Sequence, residues 1–251
     1  HHAADEFFVE GGTIEVTRAL ANQTKARVET GASVTEVAPT DMGVSIQYEQ
    51  NGTTYSVQSP KCVMAVPAPV ALSVLRDLPE SKRVTLEQCE YGSMSSAAFL
   101  IDKPSEYFFG KGNWRVPVVG MTTIGIGDPT YTFSEDMKLQ DGRGLIRLYA
   151  GDDGSRMLQQ MTDDEALEVF ENDMYHIFPA ARGLVLDSAL KHWPYAICPW
   201  RIDRLDVIDN IRASHDNIHY CGDYTENSGL ESSVLSALRV VSELSNLQLT
   251  S

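Results

Sequence analysis

The stretch that decides the fold is Ile218-His219-Tyr220-Cys221-Gly222-Asp223-Tyr224-Thr225, together with the run from Ser228 to Leu244 behind it. Its first half reads as a short buried strand, a glycine turn carrying an acid, and a polar loop. An amphipathic helix is then expected from about Leu230 to Leu244. Leu230, Val234, Leu235, Leu238, Val241 and Leu244 recur at helical spacing and mark one apolar stripe. Ser228 and Glu231 stand three residues apart, as the N-cap and N3 members of a capping box do. Ser232, Ser233 and Ser236 keep the first turns small, so that another group could approach closely. By composition alone this is a helix docked on a sheet. The order of strand, glycine, acid, loop and capped helix adds a sharper reading. In it the acid faces ligand hydroxyls, and the unpaired N–H groups and positive dipole end of the helix face a ligand carbonyl.

Outward from there, the front of the chain is rich in β signals. After Phe7-Phe8 and the Gly11-Gly12 turn, a modest helix is expected from Thr13 to about Gln23. Ser33–Val37 and Val44–Tyr48 alternate polar and apolar residues, and Asn51-Gly52 is a hairpin turn returning into Thr54–Val57. Cys62-Val63-Met64-Ala65-Val66 suits a strand buried on both faces, and Pro69 opens a helix reaching about Leu78. The middle alternates a helix from Lys82 to about Glu90, a strand over 93–101, an aromatic loop Tyr107–Gly112, and strands at 116–119 and 145–150. Thr162 and Glu165 cap a second strong helix ending near Phe178. A strand over Leu184–Trp193 then leads into a Pro194-Tyr195-Ala196 turn. This order implies an α/β or α+β chain with a mixed, antiparallel-rich sheet.

Composition narrows the function. With 251 residues, 43% hydrophobic and 22% charged, the chain can bury a substantial core. A net charge of −15 argues against nucleic acid as a partner and suits a neutral or cationic small molecule. No run reaches the ~18 apolar residues of a membrane span. Cys62, Cys89, Cys198 and Cys221 lack paired metal spacing and read as reduced thiols of a cytoplasmic protein. Gly125-Ile126-Gly127 lacks the third glycine of a dinucleotide loop, and Pro129 spoils the helix that should follow. Asp163-Asp164-Glu165 is helix-start charge rather than a metal site.

The chain resembles the flavin-containing amine oxidoreductases, the superfamily of monoamine and polyamine oxidases, protoporphyrinogen oxidase and phytoene desaturases. The residues that carry the likeness are Gly222-Asp223-Tyr224-Thr225, Ser228-Gly229-Leu230-Glu231 and Val234–Arg239, with Gly11-Gly12, Gly31–Val37 and Val63–Pro67 in support. The resemblance implies FAD as cofactor, with Gly222, Asp223, Gly229, Leu230 and Val234 around the ribityl–pyrophosphate and pyrimidine ends. It places the Val34 backbone beside the adenine and Trp193, with Tyr195, on the substrate side. It further implies an FAD-binding part with a β-ribbon insertion at 1–80, a substrate-binding domain at 81–195 and a flavin-facing C-terminal segment at 196–251. Cys198 falls where some monoamine oxidases carry a flavin-bonded cysteine, but Ile197 and Pro199 replace the glycine and tyrosine of that motif.

Two departures stand out. Ser96 occupies the place of a lysine that many amine oxidases hold near the flavin, and Leu230 replaces an aromatic. The strand, Gly-x-Gly-x-x-Gly turn and helix with which the family begins are not among these residues. The expectation is therefore the C-terminal half of an FAD-dependent oxidoreductase, working with an N-terminal FAD-binding half or subunit. It would move hydride from a carbon beside nitrogen, or from a carbon–carbon bond, to FAD. No general base is evident. The rival from another class is an acidic α/β module that binds a partner or ligand without catalysis.

Overall fold

A computed structural model of the chain describes residues 9–110, 115–130, 139, 141–199 and 201–245. Phe7, Phe8 and the Lys111-Gly112 end of the aromatic loop lie outside them. In chain order the helices are α1 (Ile14–Gln23), α2 (Ala68–Val74), α3 (Glu80–Glu87), α4 (Glu106–Phe109), α5 (Asp152–Leu158), α6 (Asp163–Ile177), α7 (Ile208–Arg212) and α8 (Leu230–Ser245). The strands are β1 (Ser33–Thr40), β2 (Gly43–Gln50), β3 (Thr53–Ser59), β4 (Cys62–Met64), β5 (Gly92–Ile101), β6 (Arg115–Pro117), β7 (Gly125–Gly127), β8 (Gly144–Gly151), β9 (Val185–Ile197) and β10 (Ile218–Tyr220). The fold is mixed α/β with antiparallel sheets, as the sequence implies. Two compact units form, one from the described residues of 1–28 and 93–194, the other from 29–92 and the described residues of 195–251. The division read from sequence had its boundaries at 80/81 and 195/196.

The unit containing β5 is built on a five-stranded sheet of order β6-β7-β8-β5-β9. Period-two alternation buries Ala97, Phe99 and Ile101 of β5 with Ile146, Leu148 and Ala150 of β8. Ala166, Phe170 and Met174 of α6 join the same core. The capping box of α6 forms as read: Glu165 N donates to Thr162 Oγ1 at 3.3 Å, and Thr162 N donates to Glu165 Oε2 at 2.8 Å. β9 runs straight through Pro194 instead of turning there. It is an edge strand, where a missing N–H costs no ladder bond. Gly125–Gly127 is the short strand β7, not a phosphate loop.

The second unit holds the antiparallel meander β1-β2-β3 and a parallel pair, β4 with β10. The Asn51-Gly52 hairpin turn has both residues at positive φ, 53° and 74°, as the sequence reading requires. β4 departs from its expected burial: Met64 is in the core but Val63 is 41% exposed, and among the described residues β4 pairs with β10 alone. Lys82 of α3, buried, donates to the carbonyls of Asn210, Ile211 and Ala213 and so closes the end of α7. Burial lowers its ammonium to about 8. Among the described residues no helix is long and apolar enough to cross a membrane, and no cluster of His, Cys, Asp and Glu could hold a metal.

Candidate functional site

The site is assembled where β10 ends. Cys221 N donates to Met64 O at 3.0 Å, so the chain leaves the parallel pair in register with β4. It then turns at Gly222, whose φ of 143° is open to glycine and rarely to other residues. A Cβ there would lie 2.9 Å from the Tyr224 ring. A 3₁₀ turn over Asp223–Thr225 follows, closed by Thr225 N and Thr225 Oγ1, both donating to Gly222 O at 3.0 and 2.8 Å.

That turn presents Asp223. Its Oδ1 accepts from Tyr224 N at 2.8 Å and from the Tyr91 hydroxyl at 3.0 Å. Its Oδ2 accepts no hydrogen bond among the described residues. Burial, reinforced by the Asp223 charge, pushes the Tyr91 phenol well up, so Tyr91 stays a proton donor to the carboxylate. The Tyr91 ring meets Tyr195 edge to face, with centroids 5.8 Å apart.

Helix α8 sits on the turn through its small face. Ser232, Ser236 and Val240 are buried, and Ser236 Oγ accepts from Gly222 N at 2.9 Å while donating to Ser233 O at 2.8 Å. The apolar stripe read from the sequence is therefore turned outward, with Leu230 82% and Val234 58% exposed and Leu235, Leu238 and Val241 about half exposed. The expected Ser228–Glu231 box does not form. The Ser228 hydroxyl donates to the Cys198 carbonyl, and Gly229, at φ 129°, precedes the first helical residue. A carbonyl in a part-buried place needs a donor, and Ser228 supplies it at the expense of the cap. Arg204, 2% exposed, ties the same segment down by donating to Cys198 Sγ, Pro199 O and Tyr224 O. Burial pushes the Cys198 thiol up, and this residue is 1% exposed, so it is neither an activated thiolate nor a wall of the site.

Between these elements lies a cavity of about 420 Å³, lined by Ala196, Ile197, Asp223, Ser228, Gly229, Leu230 and Ser233. It offers a carboxylate for hydroxyl groups, the N–H groups of the first turn of α8, and apolar walls. The volume falls in the range of small-molecule sites. Of the residues read from sequence, Asp223, Gly229 and Leu230 line it and Gly222 makes the turn that presents Asp223. Val234 is a turn further along α8 and Val34 is an exposed residue of β1; neither lines the cavity. Tyr195 connects to Asp223 through Tyr91. Trp193, 36% exposed on β9, belongs to the other compact unit. Tyr91 and Arg204 were not read as site residues: their contacts are made across 132 and 20 residues, and no local pattern marks them.

The geometry is that of a small-molecule pocket with a carboxylate in its wall, and comparison with known proteins gives the chain's family. The model of the flavin containing amine oxidoreductase family matches residues 2–245, and the chain belongs to that family, whose cofactor is FAD. It is 24% identical over 220 residues to protoporphyrinogen oxidase 1 of Arabidopsis thaliana, covering 81% of this chain and 40% of that protein. It is 26% identical over 247 residues to protoporphyrinogen oxidase 1 of Spinacia oleracea, covering 90% and 43%. Both relatives are chloroplastic. Among solved structures, putrescine oxidase bound to putrescine superposes with a TM-score of 0.72 at 14% identity, over 94% of this chain and 53% of that one. A protein of Exiguobacterium sp. 255-15, provisionally assigned as a protoporphyrinogen oxidase, gives 0.75 at 14% identity, over 96% and 52%. The chain thus spans less than half the length of these curated relatives and about half that of the solved structures.

Proposed function

We propose that this chain supplies the substrate-side lobe and the second half of the FAD site of an FAD-dependent oxidoreductase. The observation that carries this reading is Asp223, held on one oxygen by Tyr91 and Tyr224 N while its other oxygen is left for a ligand in the cavity at the start of α8. FAD, when bound, supplies hydride acceptance from a carbon–nitrogen or carbon–carbon bond. Asp223 accepts hydrogen bonds from cofactor hydroxyls, with Gly222 setting its direction. The first turn of α8, at Gly229 and Leu230, directs its N–H groups and positive dipole end at an electron-rich cofactor edge, where negative charge is favoured. Trp193 and Tyr195 offer aromatic surface to the substrate. The outward stripe of α8, with Val234 in it, packs against an N-terminal FAD-binding half or subunit. An apolar stripe of this kind is otherwise left in water at a cost.

Flavin retention tests this. The chain co-expressed with the N-terminal part of a family member is expected to purify with flavin absorbance, and Asp223→Ala to weaken FAD binding about tenfold or more, the effect of losing a charge-assisted hydrogen bond. No flavin in the co-purified complex would sink the enzyme reading in favour of a non-catalytic module. Unchanged FAD affinity in the variant would remove Asp223 from the site.

A further inference from the structure

The five-stranded sheet has a second face with chemistry that the cofactor site does not use. Directly opposed residues of an antiparallel pair share a face, so Ser96 with Tyr149 and Ala98 with Arg147 stand on the side away from the α6 core. Gly127 of β7 pairs with Arg147 from the other edge, so this long side chain rises between two small neighbours. His192 bonds Ser95 on the core side, Nδ1 to Oγ at 2.7 Å. By strand alternation Trp193 therefore turns to the Arg147 side.

Arg147 is fixed but not neutralised. Its Nε donates to Ser96 Oγ at 2.9 Å, and Ser96 Oγ in turn donates to Leu148 O at 3.0 Å. Its guanidinium carbon lies 4.6 Å from the Tyr149 ring centroid. In a chain with 35 acids, arginines such as Arg83, Arg212 and Arg239 each hold a carboxylate. Among the described residues Arg147 holds none, and its two terminal nitrogens make no hydrogen bond. An arginine anchored through Nε and stacked on an aromatic ring is preorganised, with its forked end left over. That fork matches the two oxygens of a carboxylate.

We propose that Arg147, set by Ser96 and Tyr149, is a carboxylate-binding residue whose ligand is a small organic acid. This binding needs no flavin. Calorimetric titration of this chain with benzoate, and with benzamide as its neutral isostere, tests it. Benzoate is expected to bind saturably and benzamide not. Arg147→Met should weaken benzoate about tenfold or more. Arg147→Lys should recover only part, because an ammonium keeps the charge and loses the fork. Arg182→Met is the control for charge: Arg182 also stacks on a tyrosine, 4.8 Å from the Tyr175 ring, but has no such anchor. Its variant should bind benzoate as the parent does. Equal binding of benzamide, an unchanged Arg147→Met, an equal loss in Arg182→Met, or no saturable benzoate binding would each overturn the proposal. Flavin retention is a separate measurement, so failure here leaves the cofactor reading standing.

Discussion

Helices α6 and α8 carry nearly the same sequence message and are used in opposite ways. Each has a hydroxyl residue three before a glutamate and an apolar stripe at helical spacing. In α6 the box forms at Thr162–Glu165, and Phe170 and Met174 are fully buried. In α8 the box is abandoned, Ser228 bonds Cys198 instead, Ser232 and Ser236 go inward, and Leu230, Leu235 and Leu238 go outward. The difference lies in what each helix is packed on. α6 covers an apolar sheet face and needs bulk. α8 rides on the Gly222 turn, where only side chains the size of Ser232 and Ser236 allow Gly222 N to reach Ser236 Oγ. An apolar stripe thus marks a face that wants burial, without naming what buries it.

The sharpest way to break this contrast is to cut both stripes. Phe170→Ala should cost about 3–5 kcal/mol, the price of a cavity in a filled core, measured by denaturant unfolding of the chain. Leu235→Ser, the corresponding cut in α8, should leave the chain's own stability within about 0.5 kcal/mol, since that side chain is already about half exposed. If Leu235→Ser destabilised the isolated chain as much as Phe170→Ala, the outward stripe would be part of this chain's own core.

A smaller effect separates the caps. Thr162→Ala should lower stability by about 1 kcal/mol, as loss of an N-cap does. Ser228→Ala should shift α8 helicity little, because Ser228 caps nothing. The Glu165 carboxyl is held below its ordinary value by the Thr162 backbone N–H and then by its hydroxyl. A depressed folded value means that its contribution is present above the unfolded carboxylate range and is lost as pH falls through the folded value. Unfolding midpoints followed into acid should therefore fall less steeply in Glu165→Gln than in the parent. Parallel profiles would show that the box contributes nothing through Glu165.

Much of the architecture was legible in local signals. The Asn51-Gly52 hairpin, the alternation of β5 and β8 and the Thr162 cap each follow from short-range physics, and each formed as read. The glycine and acid at 222 and 223 were legible too, because a positive φ and a carboxylate in a turn leave a residue-type signature. What failed were statements about burial. Val63 was read as buried on both faces, and nothing in the α8 stripe said which way it would turn, since hydropathy reports preference and not the neighbour that satisfies it. The strand through Pro194 was missed because only its place at the sheet edge makes a proline harmless there.

The sequence by itself determined that a glycine turn carries an acid ahead of a helix and which family the order of motifs belongs to, for these depend on residue type and spacing along the chain. Only the tertiary structure decided that Tyr91, 132 residues away, holds Asp223 by one oxygen, and that among the described residues Arg147 stands without a carboxylate. Both are facts of side chains meeting across strands and turns. Their partners are chosen by packing in three dimensions, which leaves no periodicity in the chain to read.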